Sequence, residues 1–199
     1  KALAQGKVHY TSSLGMPELR QAIADFYKSH YNTAISAEKV VITPGASGAL
    51  LLIMGALIGP GDALMLAEPG YPCNQNFVRF LNGEIQAIAV NETTDYQLTA
   101  ELIEQNWQEN TRAVLLASPA NPTGTLVPEQ EMVKIIQLIK EKNAYLIVDE
   151  IYQGLVYDQQ SSCALSADKG SDEHIVIINS FSKYFQMTGW RLGWCIVPQ

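Results

Sequence analysis

Lys183 is the first residue whose surroundings suggest a chemistry. It follows Ser180-Phe181-Ser182, and Arg191 stands eight residues further on. An amine between hydroxyls and a guanidinium can condense with a carbonyl beside a bound phosphate. Asp149 and Glu150 form a second group. A carboxylate there could hold a protonated ring nitrogen, or the pair could hold a magnesium ion. Gly45-Ala46-Ser47 precedes a long apolar run and offers free backbone N–H groups at a helix N-terminus, a ready anion site. Asn121-Pro122-Thr123-Gly124 and Tyr71 complete the set. Each has a plain reading taken alone. Gly45-Ala46-Ser47 could be a helix cap, Asn121-Pro122-Thr123-Gly124 a turn, Lys183 a surface lysine, Arg191 an ion-pair partner and Tyr71 a core residue. The magnesium reading lacks the P-loop of nucleotide hydrolases, and Gly45-Ala46-Ser47 matches neither that loop nor a G-x-G-x-x-G fingerprint.

These residues share a position once the elements are laid out. Val40–Thr43, Ala63–Ala67, Ile85–Val90, Ala113–Ala117, Tyr145–Val148 and Ile175–Ile178 are short, continuously apolar runs, and Leu192–Val197 is a seventh. Runs without polar alternation predict strands covered on both faces, as in a mostly parallel sheet between helices. Between them, Leu19, Ala22, Ile23, Phe26 and Tyr27 share a helical face behind Pro17. Ser47–Ile58 is apolar all round and predicts a buried helix. Pro128 opens a third, with Met132, Val133, Ile135, Ile136 and Ile139 on its face. The alternation gives an α/β, doubly wound domain. Ligands in such folds bind beyond the carboxyl ends of the strands. Five strand ends run directly into the clusters above. A purely structural domain would not need small, polar or conformationally special residues at each of them.

Composition narrows the partners. The net charge of −7 over 199 residues has the wrong sign for nucleic acid, whose phosphates demand a basic surface. Ala49–Ile58, the longest apolar stretch, falls far short of the roughly 20 residues that span a bilayer, so no membrane role is expected. Cys73, Cys163 and Cys195 are widely spaced, and His9, His30 and His174 form no ligand pair, so no metal site is expected. Three such cysteines fit a reducing cytoplasm.

A lysine at a strand end, a neighbouring carboxylate and a phosphate cradle are the parts that pyridoxal 5'-phosphate needs. The sequence resembles the class I/II aminotransferases, of the fold type I pyridoxal-phosphate enzymes. Ser180-Phe181-Ser182-Lys183 with Gly189-Trp190-Arg191-Leu192-Gly193 is similar to that family's cofactor-lysine signature. Asn121-Pro122-Thr123-Gly124, Asp149-Glu150-Ile151-Tyr152 and the stretch from Tyr10-Thr11 to Gly15-Met16-Pro17-Glu18-Leu19-Arg20 match in the family's order. The resemblance covers essentially the whole chain. It implies a three-layer α-β-α sandwich around a seven-stranded, mostly parallel sheet, with Leu192–Val197 the one antiparallel strand.

Carried over residue by residue, the resemblance implies that Lys183 carries the internal aldimine and Asp149 pairs with the pyridine nitrogen. Asn121 and Tyr152 would hydrogen-bond the ring's phenolate oxygen, and Tyr71 would stack on the ring. Ser180, Arg191, Ala46 and Ser47 would bind the phosphate, with Ser182 near it, and Tyr10 would reach the phosphate of the other subunit in a homodimer with shared sites. Glu68-Pro69 and Asn121-Pro122 sit where the family often has cis peptides. The implied reaction is ping-pong transfer of an amino group from an amino acid to a 2-oxo acid, with Lys183, Asp149 and Tyr152 as catalytic residues. Other readings are a C–S lyase or cyclopropane-forming synthase of the same fold, the effector domain of a transcription regulator, or a nucleotide-binding domain. The chain opens at Lys1-Ala2-Leu3-Ala4 and stops at Val197-Pro198-Gln199. Residues 1–199 are therefore expected to be one cofactor-binding large domain. The N-terminal arm and the small domain, which holds the substrate's α-carboxylate, are expected to be missing.

Overall fold

The computed structural model describes residues 6, 9–157, 162–168 and 173–198. Both ends of the expected 1–199 domain lie outside the described residues. In chain order the elements are α1 (Pro17–Tyr31), β1 (Val40–Thr43), α2 (Gly45–Leu57), β2 (Ala63–Glu68), α3 (Pro72–Phe80), β3 (Glu84–Ala89) and α4 (Ala100–Gln105). They continue with β4 (Thr111–Ala117), α5 (Glu129–Glu141), β5 (Tyr145–Asp149), α6 (Ala164–Ala167), β6 (Ile175–Ser180) and β7 (Gly193–Ile196). The strands form one sheet in the order β1-β7-β6-β5-β4-β2-β3. β7 is antiparallel to both β1 and β6, and every other neighbouring pair is parallel. The carboxyl ends of β1, β2, β4, β5 and β6 therefore share one edge of the sheet.

Alternate residues of single strands enter two separate cores, which is why the strand sequences show no polar alternation. Leu64, Leu66, Leu115, Ile147, Val176 and Ile178 pack with Leu50, Ile53 and Met54 of α2 and Val78 of α3. Met65, Val114, Leu116, Leu146, Val148 and Ile177 face the other way, toward Ile23 and Tyr27 of α1, Ile103 of α4 and Ile135 and Ile139 of α5. This is the three-layer sandwich with one antiparallel strand. Among the described residues no helix is long and apolar enough to cross a membrane.

Two expectations about burial are corrected. β3 is one of the two edge strands, with Glu84, Ala87 and Ala89 exposed. Its buried residue is Gln86, whose Oε1 accepts the Thr111 hydroxyl at 2.8 Å. An apolar run says nothing about whether a second strand will lie beside it. α2 starts at Gly45 and is not buried all round: Leu51 and Leu52 are 37% and 51% exposed. A helix in an outer layer gives the sheet only one face. Pro17 does open α1, and Pro128 sits one residue ahead of α5.

Candidate active site

Each strand end hands its side chain to the site by local chemistry. Thr43 ends β1 and donates its hydroxyl to Gly45 O at 2.9 Å, and α2 starts at once. Gly45 has φ +77°, a backbone region that favours glycine. A Cβ there would lie 2.7 Å from Arg191 Nη2, so the absent side chain lets the guanidinium rest against the helix start. At the end of β5, Asp149 Oδ1 accepts the Ile151 N–H at 3.1 Å, which turns the chain toward Tyr152. Beyond β6, the Ser180 hydroxyl accepts the Ser182 N–H at 3.1 Å and starts the turn that carries Lys183. The Glu68-Pro69, Ser118-Pro119 and Asn121-Pro122 peptides are cis, the first and third as expected.

A cavity of about 190 Å³ lies at this edge of the sheet, lined by Ala46, Ser47, Tyr71, Asn121, Asp149, Tyr152, Lys183 and Arg191. Eight of the ten sequence-predicted residues thus meet at one place. The other two do not line it. Ser180 is completely buried behind Ser182, which does form part of the wall. Tyr10 is fully exposed and outside the cavity. Asn74, Pro119 and Thr188 also line it and were not anticipated. With Val78, Asn74 forms the buried side of α3, which the sequence alone did not mark as a helix.

The charges in this cavity lack counter-charges. Burial pushes the Asp149 carboxyl up to about 6, and the Ile151 N–H opposes that rise. Arg191 donates from Nη1 to Thr188 O at 3.0 Å and lies 3.5 Å from the Ser182 hydroxyl, so both partners are neutral. Lys183 Nζ lies 5.6 Å from the centre of the Tyr152 ring. Among the described residues none of the three has an ion pair. Asn74 Oδ1 is buried without a hydrogen-bond partner. The Tyr71 phenol is raised, first by its hydrogen bond with the Cys73 thiol and then by burial. Behind the cavity, burial lifts Glu150 to about 7, while its Oε1 accepts the Ala164 N–H at 2.7 Å. A buried carboxylate, a cation with neutral partners and an orphaned amide oxygen are polar groups still lacking a complement. A bound molecule with a cationic ring nitrogen at one end and a phosphate at the other would supply it.

A family profile described as "Aminotransferase class I and II" matches residues 1–199. The chain belongs to the class I and II aminotransferases. It is 42% identical over 199 residues to the valine–pyruvate aminotransferase of Mycobacterium tuberculosis, covering 99% of this chain and 50% of that protein. It is 36% identical over 196 residues to the (5-formylfuran-3-yl)methyl phosphate transaminase of Methanocaldococcus jannaschii, covering 98% of this chain and 50% of that protein. The chain thus spans about half the length of the curated aminotransferases it matches. The crystal structure of an aminotransferase from Mycobacterium tuberculosis superposes with a TM-score of 0.93 at 42% identity, over 100% of this chain and 53% of that one. The Thermus thermophilus aspartate aminotransferase structure with maleate gives 0.93 at 30% identity, over 99% and 51%. The family implies pyridoxal phosphate as cofactor.

Proposed function

We propose that residues 1–199 form the large, cofactor-binding domain of a pyridoxal-phosphate-dependent aminotransferase. Its reaction moves an amino group from an amino acid to a 2-oxo acid by ping-pong kinetics. The observation that carries this reading is the grouping of Lys183 Nζ, the Asp149 carboxylate and the Arg191 guanidinium around one cavity, without ion pairs to one another. Pyridoxal phosphate, when bound, supplies an aldehyde that amines condense with and a pyridinium ring that draws electrons from an adjacent carbon.

The protein's own groups would hold and tune it. Asp149, whose carboxyl burial raises, would be drawn back toward the anion once a ring N–H⁺ lies against it. Arg191, Ser182, Ser47 and the free N–H groups opening α2 would bind the phosphate. Ser180 would act from behind this wall by fixing the Ser182 backbone. Asn121 and the Tyr152 hydroxyl would hydrogen-bond the ring oxygen, and the Tyr71 ring would cover its face. Lys183 Nζ, half-buried over the Tyr152 ring, would be the base that takes a proton from the substrate α-carbon and hands it across to the former aldehyde carbon. The exposed leucines of α2 and the exposed Tyr10 support a homodimer in which Tyr10 serves the partner's site. Three free cysteines support a cytoplasmic setting.

Titration with pyridoxal phosphate, borohydride reduction and peptide mapping tests the assignment. We expect a visible absorbance band and a reduced adduct on Lys183. Lys183→Ala should bind the cofactor without an adduct and show no transamination. An adduct on another lysine, or steady-state turnover in that variant, would refute it.

A further inference from the structure

The loop that carries Asn121 is held by a residue outside the cavity. Gln97, in the segment between β3 and α4, is 5% exposed. Its Nε2 donates to Thr125 O at 2.9 Å and to Ala117 O at 3.1 Å, with the Thr125 hydroxyl at 3.3 Å. A primary amide has two N–H groups. The two carbonyls take both, and the hydroxyl shares one. Both main acceptors are carbonyl oxygens, so only one orientation of the amide makes these bonds.

The two carbonyls stand at the two ends of the Asn121 loop. Ala117 closes β4, and Thr125 is where the chain resumes after Gly124. Within the loop, the Ala120 N–H donates to the same Thr125 O at 2.9 Å, and the Gly124 N–H donates to Ala120 O at 2.9 Å. Thr125 O therefore has both its lone pairs used, one from inside the loop and one from Gln97. On the β2 side, the β4 ladder ends at the pair Leu66 and Leu115, two residues short of Ala117. Gln97 bonds to β4 in the stretch beyond that last pair.

The backbone ahead of Gln97 is shaped to deliver it. Asp95 and Tyr96 have φ +50° and +54°, two successive non-glycine residues in the left-handed region. Such backbone persists only where the surroundings impose it. Here the Tyr96 N–H donates to Asn91 O at 2.8 Å and the Gln97 N–H to Thr94 O at 3.0 Å, behind the Asn91 capping box. We propose that Gln97 is a positioning residue for Asn121, fixing both ends of its loop through one amide nitrogen. The functional consequence rests on the reading of the cavity as the cofactor site.

Hydrogen exchange and a double-mutant cycle test the proposal on the full chain. Gln97→Met removes both donors at nearly constant length. Exchange over residues 118–127 should quicken at least about tenfold, with or without cofactor, while β5 and β6 keep their protection. In the loaded protein, Gln97→Met and Asn121→Ala should each raise the pH midpoint of the visible band, by about one unit for Asn121→Ala. The double variant should match Asn121→Ala alone, because Gln97 then has nothing left to position. Unchanged exchange over 118–127, or additive midpoint shifts, would overturn the proposal. If Gln97→Met fails to fold, Gln97→Leu, which has no donor at any pH, takes its place in both measurements. A parent protein that forms no band would refute the cofactor reading instead, and exchange alone would decide whether Gln97 holds the loop.

Discussion

Asp149 and Lys183 are both ordinary residue types, and the cavity makes them unusual in opposite ways. Lys183 has an aromatic face beside it and no carboxylate, while Asp149 has one backbone N–H and burial. Burial raises the Asp149 carboxyl from 3.8 to about 6. A group whose folded-state value is raised favours folding below its unfolded value, and that contribution disappears as pH rises through the folded one. For Asp149 the window runs from about pH 4 to about pH 6, and the rise corresponds to at most about 3 kcal/mol. Asp149→Asn has no carboxyl to ionise. Without cofactor, it should be more stable than the parent near pH 8, by up to about 3 kcal/mol, and equal to it near pH 4. Glu150, raised to about 7 mainly by burial, titrates in both proteins; its small push from the Asp149 charge disappears in the variant, which adds to the variant's advantage at pH 8. With pyridoxal phosphate added at pH 8 the order should reverse, since only the parent offers the ring nitrogen an anion. Urea unfolding at the two pH values checks this, and parallel stability curves for the two proteins would contradict it.

At the scale of elements, α2 and β7 meet through glycine. A Cβ on Gly193 would stand 2.5 Å from Gly45 C and 2.8 Å from Ala46 N, and one on Gly45 would strike Arg191. Close backbone approach at a helix N-terminus is what an anion cradle requires. Gly45→Ala should therefore strain a φ of +77° and push the guanidinium aside. Affinity for pyridoxal phosphate should fall about tenfold or more, about 1.4 kcal/mol, while affinity for pyridoxal, which lacks the phosphate, changes little. Calorimetric titration with both ligands checks the difference, and equal losses would place the effect outside the phosphate. The helix start beside Arg191 was legible in the sequence because Gly45-Ala46-Ser47 joins an apolar strand to an apolar helix. The strands were legible for the same reason, since Val40–Thr43 and Ala63–Glu68 bury both faces. α3 and α4 were not: over nine and six residues each buries a single apolar side chain, Val78 and Ile103, so no apolar position recurs from turn to turn. Asn74 was missed with α3, and Gln97 because nothing local to it announces bonds to residues 20 and 28 positions away.

At the scale of the molecule, two outer layers treat the sheet differently. On one side α1, α4, α5 and α6 pack over a continuous core. On the other, α2 covers the sheet with Leu50, Ile53 and Met54 and turns Leu51 and Leu52 outward. The outward pair is why Ser47–Ile58 reads as buried from sequence: an apolar face awaiting another surface is indistinguishable from one already covered. A homodimer that completes its sites across the interface would bury that face, since stable homodimer interfaces are more apolar at their centre than the rest of the surface. Leu52→Asp places a charge there while leaving the inner core untouched. Because Leu52 is half-exposed, the fold of the separate chain should change by no more than about 0.5 kcal/mol. Sedimentation velocity should find the parent dimeric and Leu52→Asp shifted to monomer, with the same far-ultraviolet circular dichroism. The variant should also lose affinity for pyridoxal phosphate, because Tyr10 of the neighbouring chain would no longer reach the phosphate. Tyr10→Phe should remove that same contact while leaving the dimer intact. A Leu52→Asp protein that stays dimeric would place the interface elsewhere, and a monomer that binds the cofactor like the parent would make each site complete within its own chain.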